Sequence, residues 1–156
     1  WVVDCRGFAG REALPDLRGV KGEMLILRSA DIVLSRPVRL IHPRFPLYVV
    51  PRADGHFMVG ATMIESAERS RITARSMLEL LGAAYALHQA LGEAEVVETG
   101  CDVRPAFPDN LPRVTREGRL ISITGLYRHG FLLSPAMAVQ AADMICEEEV
   151  GYARSA

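Results

Sequence analysis

The chain has 156 residues, of which 49% are apolar and 24% charged, with a net charge of −1 from 18 basic and 19 acidic side chains. A length near 150 allows a core that buries roughly 70% of the unfolded surface, which excludes a disordered tail, a collagen-like rod and a disulfide-stapled miniprotein. The balanced charge argues against a nucleic-acid partner, which calls for a basic excess.

In chain order, Trp1-Val2-Val3-Asp4 opens inside an apolar run without a Met, and Val2–Cys5 reads as a strand end. The expectation is an internal point of a longer chain. A loop with Gly7 and Gly10 follows. Gly22–Arg28 (GEMLILR) is apolar enough for a strand buried on both faces. Val38–Ile41 is a weaker strand between Pro37 and Pro43. Leu47–Val50 and His56–Gly60 are strands joined by a turn in which Asp54-Gly55 supplies positive φ, hence a hairpin. Ile72–Leu91 is predicted as a helix with an apolar stripe of Met77, Leu78, Leu81, Ala84, Tyr85, His88 and Leu91. Thr73 is its expected cap and Gly92 its stop. Glu95–Asp102 reads as a strand, Pro105–Pro112 as a loop and Leu120–Thr124 as a strand. A second helix is expected from Ser134-Pro135, where proline suits the first helical position, to about Glu149. Its acidic end, Glu147-Glu148-Glu149, should fray against the macrodipole. Consecutive strands around two principal helices predict an α+β fold with a mainly antiparallel, mixed sheet.

Three cysteines, Cys5, Cys101 and Cys146, without CxxC spacing predict reduced, buried thiols in a cytoplasmic protein, with no disulfide framework and no metal site. The longest charge-free stretches, Leu80–Gly92 and His129–Ala142, are too short to cross a bilayer as helices, and no membrane partner is expected. Nucleotide-loop, nucleophile-elbow and zinc-helix motifs are absent. His42, His56 and His88 are expected as core or strand-flanking residues.

Two segments carry candidate chemistry. The stretch Gly125-Leu126-Tyr127-Arg128-His129-Gly130-Phe131-Leu132-Leu133-Ser134-Pro135 links a strand to a helix. Its glycines let backbone approach a ligand, Arg128 and His129 supply donors, and a helix N-terminus favours negative charge. The same spacing also suits a plain connection with a surface arginine. Arg104-Pro105 places a planar guanidinium, the natural fork for a carboxylate, at a strand end. Tyr48 in an apolar strand and Met63 at a strand end read, taken singly, as core.

Together these pieces resemble the D-amino-acid-oxidase superfamily of FAD-dependent oxidoreductases, in its C-terminal half. The most similar branch is the glycine oxidases of thiamine biosynthesis. Val20-Lys21-Gly22-Glu23 resembles V-K-G-E, Tyr48-Val49-Val50-Pro51-Arg52 resembles Y-I-V-P-R, and Val59-Gly60-Ala61-Thr62-Met63 resembles V-G-A-T-M. Val103-Arg104-Pro105 resembles L-R-P, and Gly125 through Pro135 resembles G-H-[FY]-R-N-G-I-L-L-A-P. Val2 through Gly7 resembles the last strand of the nucleotide-binding part. Leu126 stands where the family loop has His. Asp102 stands where Gly is common, and a carboxylate there is expected to pair with Arg104 or narrow the pocket.

The resemblance implies an FAD cofactor and oxidation of glycine or a small amine to an imine with hydrogen peroxide, by hydride transfer from Cα to flavin N5. Arg104, Arg128, Tyr48 and Met63 would bind substrate, and Gly125, Leu126, Tyr127, Arg128, His129, Gly130, Phe131 and Leu132 would line the flavin. No acid–base residue is assigned. A sarcosine-oxidase-like or D-amino-acid-dehydrogenase-like relative, or a stand-alone binding or assembly module, remains open. The implied division is a nucleotide-domain remnant at 1–19, a substrate domain at 20–104 and a returning strand and helix at 105–156. The nucleotide-binding half would lie upstream. The piece alone is expected to be inactive, to hold little FAD, and to self-associate through an exposed apolar face.

Overall fold

A computed structural model describes residues 1–43 and 46–155. The chain divides into two compact units, one made of Trp1–Val20 with the chain from Arg104 onward, the other of Lys21–Val103.

The first unit opens with strand β1 (Val2–Asp4) and a 3₁₀ segment, Gly7–Ala13. The chain then enters the second unit through β2 (Arg18–Arg28), followed by β3 (Val38–Leu40), β4 (Leu47–Pro51), β5 (His56–Gly60) and the short β6 (Ile64–Glu65). Helix α1 (Ala74–Leu87) and β7 (Glu95–Ala106) complete it. The strands form one sheet in the order β3-β4-β5-β2-β6, with β7 also paired to β2. The β4–β5 hairpin forms as expected: Asp54 and Gly55 take φ of 57° and 68°, and Val49 lies opposite Val59.

The buried face of this sheet carries Leu25, Leu27, Val49, Phe57 and Val59, all 2% exposed or less. Helix α1 packs on β4 and β5 and adds Leu80, Ala84 and, beyond its end, Leu91 to the same cluster. Met24 and Ile26 alternate with Leu25 and Leu27 and are only half-buried, so β2 is fully buried on one face rather than two. The period of two along the strand puts alternate residues on opposite faces.

The helix begins at Ala74, two residues after the predicted start, with the expected cap. Thr73 is its N-cap, and the Thr73 hydroxyl accepts the Ser76 N–H. It ends sooner, at Leu87, and Gln89–Gly92 forms a 3₁₀ turn. Its buried line is Ser76, Leu80 and Ala84, whereas Leu78 and Tyr85 are 73% and 53% exposed. The apolar stripe is therefore turned from the predicted one. His88, expected in the core, is the exposed residue at the helix end, and His42 is exposed too.

Back in the first unit, β8 (Arg113–Glu117) and β9 (Leu120–Thr124) form a hairpin about Gly118, whose φ is 58°. Neither β8 nor β6 is foreseen in the sequence. β9 pairs in parallel with β1, Val3 opposite Ile121, giving the sheet order β1-β9-β8. Helix α2 (Gly130–Ser155) packs on β8 and β9. It starts four residues before Ser134 and continues past Glu149, so the expected start and frayed end are both corrected. Pro135 lies inside the helix rather than at its first position, and its missing N–H removes one ladder bond. The segment Pro105–Pro112 is not wholly loop, because β7 extends to Ala106. Cys5 and Cys146 are exposed and Cys101 half-buried, all as free thiols, which corrects the expectation of buried ones. Among the described residues no His, Cys, Asp or Glu cluster is arranged for a metal ion. No helix of the described residues is long and apolar enough to cross a membrane.

Candidate functional site

In the first unit, the candidate loop runs from the end of β9 to the start of α2. Gly125 is buried with φ of 78°, and a Cβ there would stand 2.4 Å from the Phe107 ring. Only glycine combines that backbone with that approach. Tyr127 also takes a positive φ, 49°. Its N–H donates to the Pro105 carbonyl at 3.1 Å, which fastens the loop to the strand end carrying Arg104. The His129 N–H donates to Leu126 O at 2.8 Å, and Leu133 N–H to His129 O at 2.9 Å, the first turn of α2. The Leu126 position thus contributes its carbonyl to the turn.

This leaves the Gly130, Phe131 and Leu132 amides ahead of the first intrahelical donor. Arg128 and His129 are exposed beside them, and Phe131 is fully exposed. Positive backbone ends, a guanidinium and an imidazole therefore meet at the start of a 26-residue helix. Behind the loop, Arg113 stacks over Phe107 at 3.9 Å, and Arg18 lies 6.0 Å from the Tyr127 ring centre and donates to Asn110. These contacts hold the turn from its protein side. Thr124, just before it, buries a hydroxyl that has no hydrogen-bond partner among the described residues.

In the second unit, Tyr48 is half-buried and sits directly opposite Gly60 on β5. A Cβ at Gly60 would fall 2.9 Å from the Tyr48 hydroxyl, so the phenol lies over the bare glycine backbone. Met63 follows three residues later and is 41% exposed. Next to it is a cavity of about 130 Å³ lined by Thr62, Met63, Ile64, Glu79 and Leu80 among others. Tyr48 and Met63 thus belong to one strand end, while Arg104 and the Gly125–Leu132 loop belong to the other unit. Asp102 is engaged by Arg69 at 2.8 Å, and its carboxylate also accepts the Val103 N–H at 2.7 Å.

Sequence reasoning missed a buried ionic group at the start of the second unit. Glu23 is fully buried, and Lys21, the one lysine of the chain, is 4% exposed. Lys21 Nζ lies 3.3 Å from Glu23 Oε1 and donates to Glu68 at 2.5 Å and to Arg71 O at 2.8 Å. Burial pushes the Glu23 carboxyl up, but hydrogen bonds from Ser76, Thr73, Thr62 and Lys21 outweigh it and hold the group below its ordinary value. The Lys21 contact, with help from Ser70, holds Glu68 down at about 2. Burial raises the nearby Cys101 thiol. The V-K-G-E spelling was the available signal, since a charge pair inside an apolar strand needs partners.

A glycine turn feeding a helix N-terminus, flanked by arginine and histidine, suits an electron-rich or anionic cofactor. The chain belongs to the FAD dependent oxidoreductase (DAO) family, whose family model matches residues 1–144. A Rhizobium etli protein named as a thiamine biosynthesis oxidoreductase, ThiO, is 62% identical over 148 residues, covering 95% of this chain and 45% of that protein. The glycine oxidase of Pseudomonas putida is 31% identical over 96% of this chain and 40% of its own length. The crystal structure of glycine oxidase from Geobacillus kaustophilus superposes with a TM-score of 0.73 at 28% identity, over 85% of this chain and 36% of that one. The chain thus spans less than half the length of these relatives.

FAD is the cofactor of this family, and the residues present fit its ring system. The amides at the head of α2 and the Arg128 cation suit the edge of a flavin that gains negative charge on reduction. The bare side of Gly125 is taken up by the Phe107 ring, so this glycine serves the packing of the loop and does not open it to a ligand.

Proposed function

We propose that the chain is the substrate-side portion of a flavin-dependent oxidase that converts glycine, or another small amine, to an imine and serves thiamine biosynthesis. The observation that carries this reading is the 62% identity, over nearly the whole chain, to a relative named for that role. The glycine oxidases among the other relatives support the substrate class.

In this reading residues 20–104 form the substrate-binding domain, and 1–19 with 105–156 belong to the flavin side. The Arg104 guanidinium holds the substrate carboxylate through paired charge-assisted bonds, and Arg128 adds a second cation. Tyr48 and Met63 restrict the pocket to small side chains. The Gly125–Leu132 backbone and the head of α2 hold the flavin. When bound, the flavin supplies the two-electron acceptor. What the protein adds is alignment and exclusion of water, so no conspicuous acid–base pair is required. The remaining part of the longer protein supplies the dinucleotide grip.

The test is oxygen uptake by the full-length flavin-loaded protein over a panel of glycine, sarcosine, D-alanine and D-proline. Glycine giving the highest kcat/KM, with one peroxide per imine, is the expected result. A preference for sarcosine or a bulky D-amino acid would move the protein to another branch, and no uptake with any of them would refute the reading.

A further inference from the structure

Thr62 is fastened to Glu23 three times over. The Thr62 N–H donates to the Glu23 carbonyl at 3.1 Å, the Glu23 N–H donates to the Thr62 hydroxyl at 2.9 Å, and that hydroxyl donates to Glu23 Oε2 at 3.1 Å. The other carboxylate oxygen, Oε1, accepts the Thr73 N–H at 3.1 Å at the head of α1 and faces Lys21. Residues 61–63 lie between the end of β5 at Gly60 and the start of β6 at Ile64, outside either strand. Glu23 therefore joins Thr62, the residue preceding Met63, to two rigid elements, β2 and the N-terminus of α1.

A buried carboxylate is costly unless charge and hydrogen bonds compensate it, and an apolar residue would fill the same space at lower risk. Here the compensation is directed at one short segment. We infer that Glu23 is a positioning residue: its carboxylate fixes Thr62 and so the backbone that presents Met63, which sets how tightly a small substrate is held. This inference rests on the proposed oxidase reading for the role of Met63, and on geometry for the tether itself. Lys21 is the counter-charge that allows Glu23 to stay ionised, and Glu68 is the outer end of the chain of contacts.

The experiment uses the full-length flavin-loaded protein with Glu23→Gln and, should that variant fold poorly, Thr62→Val, which keeps the shape and removes the hydroxyl. Both are expected to raise KM for the preferred amine by about tenfold with kcat within about twofold, because alignment of the ground state is what loosens. Amide exchange in the 61–64 segment should speed up in parallel. Glu68→Gln, which touches only the outer end, should alter stability and leave KM unchanged. A KM within about twofold of the unmodified protein, or a fall in kcat alone with unchanged exchange, would overturn the inference. If the unmodified protein oxidises no small amine, the oxidase reading fails, and exchange decides the tether: acceleration supports it and unchanged protection refutes it.

Discussion

At the residue scale, single atoms decide what this chain can tolerate. Arg104 is half-buried at the end of a strand, and on the proposed reading its charge is matched to the substrate carboxylate. Arg104→Ala in the full-length protein should raise KM on the order of 100-fold, as loss of a bidentate charge-assisted contact does, with a smaller change in kcat. Steady-state kinetics on glycine would check this. Thr124 makes the opposite case. Its hydroxyl is buried without a partner among the described residues, which costs about 1–3 kcal/mol. Thr124→Val keeps the volume and removes the polar atom. It should raise the denaturation midpoint, a gain of about 1 kcal/mol by urea titration. Arg104 and the Gly125 loop could be picked out from local sequence because glycine spacing and an Arg-Pro pair are local signals. For Glu23 the local spelling shows only a charge inside an apolar strand; its partners lie 39 and 50 residues away, and only the folded sheet brings them to it.

At the scale of elements, caps and charge pairs set local stability. The Thr73 side chain satisfies the Ser76 N–H at the head of α1, so Thr73→Ala should cost about 1 kcal/mol in equilibrium unfolding. Glu68 titrates at about 2 in the folded protein against its ordinary 4.5. The unfolded chain therefore binds the proton first as pH falls. The Glu68–Lys21 contribution is complete above pH 4.5 and is lost as pH drops toward 2. Glu68→Gln should flatten that acid limb in a stability–pH series.

The strands of the β4–β5 hairpin were legible because the Asp-Gly turn and the alternation agree. The helix stripe was misplaced because residues 77–91 are apolar almost all round, and the sheet, not the sequence period, selects Leu80 and Ala84 for burial. Strand β8 (RVTRE) escaped notice because only one of its residues is a strong apolar signal. Pairing with β9 about Gly118 is what makes it a strand.

At the scale of the molecule, the chain leaves its first unit at Val20 and returns at Arg104. The first unit exposes Val2, Val3, Phe131, Leu132 and Val139, from 44% to 102%. On the proposed reading the rest of a longer protein, or the flavin, covers part of this surface. The α+β class was readable from consecutive strands around two helices, and the family from five short motifs in order. The central claim is that these residues serve a flavin that accepts electrons from a small amino acid. The most direct measurement is anaerobic mixing of the full-length protein with glycine while the flavin absorbance is followed. The account predicts bleaching of the oxidised band and its return when oxygen is admitted, with Arg104→Ala requiring far more glycine. A flavin band unmoved by glycine or any other small amine would contradict it.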